Sequence, residues 1–356
     1  MKVTIYLIVS FIFIGMLSLN TSATTEDNLQ VRAIITEIES TNTEAIEKQI
    51  ITVRVLEGKY KGSEIMIDYT PIYSSKKLHL RVGLRIGIQI YDELSSPTAY
   101  ILNIDRSREL IQLAIIFVLI VLIFGRLKGI SSLVSLILTG LIVIKIIIPC
   151  ILMGYSPILV AVIASIFIII ISFLLISGFT IKSFVAIIST CGGTIIAGIF
   201  ANYYTHLTAL SGTSGEEITF LITELGVSLD FRGLFLSGII IGTIGAIMDV
   251  SMSIVSCIFE IHKHSPRMSF IKLAASGFNV GKDVMSTMVN TLILAYAGAA
   301  MPLFLIFFNS NISIDLINND ILTGEIIRAL SGSIGLILTI PITVFASSFM
   351  VKLSGN

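Results

Sequence analysis

The sequence predicts an α-helical polytopic membrane bundle, with about seven spans after an N-terminal signal or anchor, carrying a small exported all-β domain of OB-like type. Three observations predict it. Hydrophobic residues make up 54% of the chain and charged residues only 13%, where globular domains carry about 25% charged residues. From Leu110 onward the apolar runs are long enough to cross a hydrocarbon core of about 30 Å, which takes roughly twenty helical residues. Between residues 25 and 105 the chain is instead made of short, β-branched, partly alternating segments.

Composition also excludes several functions. The net charge is zero and no basic block is dense, so nucleic acid is not an expected partner. Cys150, Cys191 and Cys257 all lie in apolar segments, which leaves no disulfide framework and no zinc spacing. No Walker A stretch is present, so ATP hydrolysis by this chain is not expected, and no cofactor is indicated.

Residues 1–23 hold an apolar run behind Lys2 that ends in Thr21, Ser22 and Ala23. This reads as a signal peptide cut after Ala23, or as an uncleaved signal anchor. Either would export the adjoining segment.

The exported domain, residues 25–105, contains "QVRAIITEIES", "KQIITVRVLEG", "SEIMIDYTP", "GLRIGIQIYDE" and "AYILNID". About five such strands suit a small closed barrel. Gly58, Gly62 and Gly83 would serve its turns. Glu64, Asp68, Asp92 and Glu93 are scattered, and His79 stands alone beside Lys76 and Lys77. They read as a solvated surface rather than a catalytic cluster.

Residues 109–352 form the transmembrane domain, with spans expected near 110–125, 130–151, 157–178, 183–204, 233–258, 284–308 and 326–350. They are expected to be helices, because lipid offers the backbone no hydrogen-bond partner. With the β domain outside, the cytoplasmic connections hold Arg126, Lys128, Lys182, Lys263, Arg267, Lys272, Lys282 and Lys352. The external connections hold Arg232, with Arg106 and Arg108 on the external flank. That bias predicts a membrane protein with its β domain outside and its C-terminus in the cytoplasm.

Two connections carry helix signals, and each reads either as a helix at the membrane surface or as a solvated connector. Ser214 precedes Glu217 by a capping-box spacing, and Ile218, Leu221, Ile222 and Leu225 make an apolar stripe on the outer surface. On the cytoplasmic side Ser265 is a candidate N-cap, with Pro266 in the first turn and Gly277 as the stop.

Inside the membrane, Gly238, Gly242, Gly245, Asp249, Ser253, Ser256 and Glu260 follow one another at helical steps and share a face. The glycines would let a neighbouring backbone approach, and the polar residues would point at protein or water. In the next span Asp283, Thr287, Asn290 or Thr291, Ala295 and Gly298 share a face, with Asn290 near the depth of Asp249. The last span offers Arg328, Gly332, Gly335 and Thr339, and the fourth Thr190, Gly193 and Ala197.

An intramembrane ionisable group is a functional candidate by default, so Asp249, Asn290, Thr287, Thr291, Asp283 and Ser253 are the candidate transport or relay residues. The competing reading has Asp249 paired with Asn290, Thr287 or Thr291 as interhelical glue. Lys145, among Leu138, Leu141, Ile142 and Ile148, is expected to snorkel outward from lipid-facing neighbours. Arg328, three residues after Glu325, is expected to form a local ion pair. The group Glu260, His262 and His264 is too weak a signal to name as a metal site.

"GTIGAIMDVSMSIVSCIFEI", "SGFNVGKDVMSTMVNTLILAYAGAAMPL" and "EIIRALSGSIGLILTIPIT" resemble the YibE/F-like bacterial membrane proteins. The resemblance covers most of the membrane region and implies that Asp249, Asn279, Gly281, Asp283, Thr287, Asn290 and Thr291 are motif members, without assigning them a chemistry. The order of an intramembrane Asp, an amphipathic connector and a Thr/Asn-bearing span is also similar to the proton-relay region of SecDF and resistance-nodulation-division exporters. That similarity implies a carboxylate that loads and releases a proton.

The leading expectation is a secondary transporter or permease for a small solute or ion, with its path between the spans at 233–258 and 284–308. The alternative is a membrane assembly or sensory factor whose external domain binds a protein partner. A homo-oligomer is compatible with both. An intramembrane aspartyl protease is disfavoured, because its two carboxylates must share a site and Asp283 falls at the membrane edge.

Overall fold

The computed structural model describes residues 29–43, 46–69, 80–91, 98–224, 226, 229–309 and 318–354. The signal or anchor at 1–23, and Lys76, Lys77, His79, Asp92 and Glu93, lie outside the described residues. The chain divides into two compact units after Phe124.

In the first unit β1 (Leu29–Thr43), β2 (Ile46–Val55), β3 (Glu64–Tyr69), β4 (Arg85–Tyr91) and β5 (Thr98–Ile104) form one antiparallel sheet in the order β3-β2-β1-β4-β5. Val31, Ala33 and Ile35, then Ile51, Val53 and Val55, alternate inward and are buried with Ile86, Ile88 and Ile90. The period of two puts every second side chain on one face, and that face is the core. A register shift between Ile35 and Glu37 bends the long β1, and the edge strands β3 and β5 come into contact. The result is a small half-barrel. Gly58, Gly62 and Gly83 all have positive φ, as expected of tight turns. Glu64 pairs with Arg54 at 2.9 Å on the surface.

The first helix, α1 (Ser107–Leu152, 46 residues), is interrupted at Arg126, where φ is 49° and ψ is −130°. The spans expected at 110–125 and 130–151 are therefore two legs of one broken helix. Near its end a π-helical turn, Val143–Ile147, holds Lys145. Leu138 and Ile142, expected to face lipid, are instead buried, Ile142 against Ala164 and Ile168. Lys145 is half-buried, and of its expected lipid-facing neighbours Ile148 is exposed, as are Ile144 and Ile146.

The remaining helices are α2 (Pro157–Ser177), α3 (Ile181–Leu207), α4 (Glu216–Thr223), α5 (Phe231–His264), α6 (Phe270–Ala299), α7 (Met301–Asn309) and α8 (Asp320–Ser354). Among the described residues five helices, α1, α2, α3, α5 and α8, are long and apolar enough to cross a membrane. At 30 residues α6 is long enough but carries too many polar residues to qualify by composition.

Two expected helix starts are corrected. The short outer helix forms, but Gly215 is its N-cap and the Ser214 hydroxyl donates to Asp320 Oδ2 at 3.2 Å instead. On the other side Ser269, not Ser265, caps α6, and the helix runs through Gly277 to Ala299. Gly277 does not stop it because it serves packing: a Cβ there would lie 2.7 Å from Ile258 Cδ1.

The bundle centres on α3, α5 and α8. Where α3 crosses α8, a Cβ on Gly335 would lie 2.5 Å from the Ala197 Cβ and 2.8 Å from the Gly193 carbonyl oxygen. Thr339 fills the space beside Gly193, and Gly332 lies against Thr243 of α5. Small residues thus let three backbones approach, which is how helices associate where lipid supplies no hydrophobic drive. Thr190, Ala197, Thr243, Thr339 and Thr343 are fully buried in this seam. The hydroxyls of Thr243, Thr339 and Thr343 donate to carbonyls of their own helices, at 3.0, 2.7 and 2.8 Å.

Candidate functional site

The surface of the bundle is uneven in kind. On α2 the exposed side chains include Leu159, Ile163 and Phe167, on α3 Ile188, Ile195 and Ile199, and on α8 Leu330, Phe345 and Phe349. These suit lipid. On α5 the exposed residues are Gly238, Gly242, Gly245, Asp249 and Ser253, then Glu260, Lys263 and His264 at the end. The helix exposes no large hydrophobic side chain.

This face arises from the sequence in a simple way. The buried side of α5 is lined by Ile239, Ile240, Ile244, Ile247, Val250, Ile254 and Ile258. The small and polar residues at steps of three and four then fall on the opposite side. Asp230 starts the helix, its Oδ1 accepting from the Gly233 N–H at 2.9 Å.

The neighbouring helix has the same character. Between Lys272 and Leu292, α6 exposes no large hydrophobic side chain either. Its exposed residues there include Asn279, Lys282, Asp283, Ser286, Thr287, Asn290 and Thr291. Gly281 lies against Ile340 and Ile254, and a Cβ on Gly242 would lie 3.2 Å from the Tyr296 hydroxyl. These contacts set an antiparallel register in which Asp249 is level with Thr287 and Ser253 with Asp283. Asn290, expected near the depth of Asp249, falls about one turn further along, towards the Phe231 end of α5.

The candidate residues thus belong to two packed helices, but among the described residues no hydrogen bond joins those on α5 to those on α6. Among the described residues Asp249 and Asn290 have no hydrogen-bond partner. Thr287 Oγ1 donates to the Val284 carbonyl at 3.0 Å and Thr291 Oγ1 to the Thr287 carbonyl at 2.9 Å. The glycines divide into two groups. Gly332 and Gly335 are packed, while Gly238, Gly245 and Gly298 have nothing within 4 Å. Gly193, Gly277 and Gly281 are further close-packing positions.

One cluster exceeds what sequence spacing offered. Arg328 Nη1 donates to Glu325 Oε1 at 2.8 Å, the expected local pair. The guanidinium also lies 5.4 Å from the Phe235 ring centroid and 6.0 Å from that of Tyr296, so it joins α5, α6 and α8. The two rings stand far from Arg328 in the chain, and only the helix packing brings them there. Nearby, Arg232 Nε donates to the Leu210 carbonyl at 3.0 Å and its Nη1 is 3.1 Å from His206 Nδ1.

Elsewhere, a crevice of about 410 Å³ between α2, α3 and α5 is mostly apolar, with Ser165, Cys191, Thr194 and Asn202 among its walls. At the far end of α5, Glu260 Oε1 is 3.2 Å from His264 Nε2 and 3.7 Å from Lys263 Nζ, and all three are exposed. Among the described residues no group of three or more His, Cys, Asp and Glu is placed to hold a metal ion.

The model of a family described as YibE/F-like protein matches residues 113–353. No curated protein and no solved structure matches the chain.

Proposed function

The chain belongs to the YibE/F-like family, whose match covers more than half of it, and from that premise we propose that it is a multi-pass membrane permease, a secondary transporter that moves a small solute or ion along the face formed by α5 and α6. The observation that carries the reading is that every exposed residue of α5 at membrane depth is Gly, Asp or Ser. A carboxyl facing hydrocarbon at a helix centre costs about 2.5–3.5 kcal/mol on insertion scales. A face of this composition is therefore suited to water or protein. Asp249 is the group that would carry a proton or hold a cation. Thr287 and Ser253 flank it at neighbouring levels, with Asn290, Thr291 and Asp283 along the same helix face as neutral or anionic ligands.

The glue reading needs a bonded Asp249. Its candidate partners do not serve: the two threonine hydroxyls donate to their own helix, and Asp249 accepts no hydrogen bond among the described residues. In proteoliposomes carrying a proton gradient, Asp249→Asn should abolish gradient-driven uptake while leaving the protein folded. Full uptake with an unchanged pH dependence in that variant removes Asp249 from the mechanism.

We place residues 25–105 outside the bacterial plasma membrane, behind a signal peptide or anchor at 1–23, and the C-terminus of the 109–352 membrane domain in the cytoplasm. The distribution of Lys and Arg supports this orientation. A 46-residue helix rises about 69 Å, more than twice the core thickness, so the break at Arg126 supports counting α1 as two spans. With the α6–α7 stretch as another, the total is about seven. The curled five-stranded sheet with its edges in contact supports the OB-like assignment.

One observation favours the partner-binding alternative. The half-barrel exposes Met66, Tyr91, Tyr100 and Leu102, with the two tyrosine rings edge to face at 5.7 Å. Aromatic side chains are enriched at protein interfaces, so the exposed Tyr91–Tyr100 pair is where a protein partner of the external domain would bind.

A further inference from the structure

We propose that residues 3–19 stay attached to the mature protein as a membrane helix and cover the α5–α6 face, with Tyr6 and Ser10 turned towards Ser253 and Asp249. The segment would supply the missing wall of the proposed path, but its placement rests on the composition of the face and of the segment, and not on transport.

The segment is long enough to remain in the membrane. No charged residue stands between Lys2 and Glu26. The run 3–19 also exceeds the roughly 7–15 apolar residues at the heart of a cleaved signal. As a helix it rises about 26 Å, at the short end of what spans a hydrocarbon core. Met1–Ser18 belongs to the same compact unit as Gly125–Asn356, which holds the bundle, and not to the unit of the half-barrel. With Lys2 inside and the half-barrel outside, the segment crosses outward, antiparallel to α5 and parallel to α6.

One side of the segment matches the two halves of α5. Tyr6, Ser10, Phe13 and Leu17 follow at steps of three and four and share that side. Ile5, Val9, Ile12 and Met16 share another, which suits lipid. With Lys2 set within about one turn of Glu260, Ser10 falls level with Asp249 and Tyr6 with Ser253. Each hydroxyl donates one hydrogen bond, and Asp249 accepts none among the described residues. Further out, Phe13 falls within about one residue of the level of Gly245, and Leu17 at that of Gly242. A Cβ on Gly238 or Gly245 would have nothing within 4 Å, so this half of α5 has room for large side chains. Hydroxyls therefore meet the acid and bulk meets glycine. Lipid is the poorer cover, because hydrocarbon can fill the space but offers the carboxyl no hydrogen-bond partner.

Two measurements on the full chain test this. The intact mass of the protein purified from membranes should include the segment, and a chain that begins after Ala23 overturns the proposal. This mass is read on the unaltered sequence, so it stands even where a substituted variant does not fold. Disulfide cross-linking in lipid then locates the segment. In a background with Cys150, Cys191 and Cys257 replaced by Ala, Tyr6→Cys is combined with Ser253→Cys, and Leu17→Cys with Gly242→Cys. Ile5→Cys with Ser253→Cys and Ile12→Cys with Gly245→Cys are the controls. After oxidation, cutting at a protease site placed within residues 92–97 separates the segment from α5 in the chain. The first two pairs should hold an N-terminal tag on the fragment that carries α5 until reductant is added, and the controls should release it. Equal retention in all four pairs, retention in none, or linkage only at the mass of a dimer overturns the proposal. Loss of uptake in Asp249→Asn with these cross-links intact, or the reverse, separates the permease reading from this one.

Discussion

At Asp105 and Asp249 the same side chain meets two different settings. The Asp105 carboxylate is held below its ordinary range by hydrogen bonds from the Ser107 hydroxyl and backbone N–H, with Arg32 and Arg85 adding to the effect against the opposing pull of burial. Its Oδ1 accepts from the Ser107 N–H at 3.0 Å. A folded-state pKa below the unfolded value of about 3.9 means stability that is present above that pH and lost as pH falls through the folded value. We expect Asp105→Asn to flatten the acid sensitivity of the β unit below about pH 4. Pepsin cleavage of the reconstituted chain at graded pH measures this, and identical midpoints for the two proteins refute it. Asp249 has no such shell. Its residue type and helical position were legible in the sequence, whereas the emptiness around it was not, since that depends on which side of α5 faces the core.

Glycine gives a second contrast at this scale. A Cβ on Gly193 would overlap the Thr339 hydroxyl and lie 3.1 Å from Ile247. Overpacking of this kind costs about 1–3 kcal/mol. Gly193→Ala should lower the thermal midpoint in detergent, while Gly140→Ala, with nothing within 4 Å, should not. Equal midpoints for the two variants contradict the close crossing. Both glycines look alike in sequence.

At the scale of elements, apolar runs announced the helices reliably because burying some twenty backbone units in hydrocarbon leaves no other structure. Their ends were less legible. Gly277 is a common helix-stop residue, yet α6 continues through it because Ile258 and Val344 occupy the side where a Cβ would stand. Ser214 and Glu217 have capping-box spacing, but Ser214 finds a partner 106 residues away in Asp320. Local signals lose when a distant group satisfies the same atom. Lys145 shows another limit: it lies in a π turn, which no short pattern predicted. Between α1 and α2, Ser135 donates to Ser172 at 2.8 Å, buried. Such membrane hydrogen bonds average about 0.6 kcal/mol, so one joins the helices without fixing their positions.

For the whole molecule, the orientation expected from the Lys and Arg distribution is open to direct test. In intact cells a cysteine at Thr213 should react with an impermeant maleimide, and one at Lys272 should react only after lysis. The opposite pattern reverses the topology and puts the half-barrel in the cytoplasm.

The sequence by itself determined the membrane class, the small β unit before it, and the helical face that joins Gly238 to Glu260. Each of these arises from composition or from a local period, and none depends on distant contacts. Tertiary structure alone decided that this face of α5 points away from the bundle core, that Thr287 rather than Asn290 shares the level of Asp249, and that Arg328 gathers two rings from other helices. The physical reason is that helical periodicity says which residues share a side. It cannot say what lies opposite, because that is fixed by how Gly193, Gly277, Gly281 and Gly335 let particular helices close together.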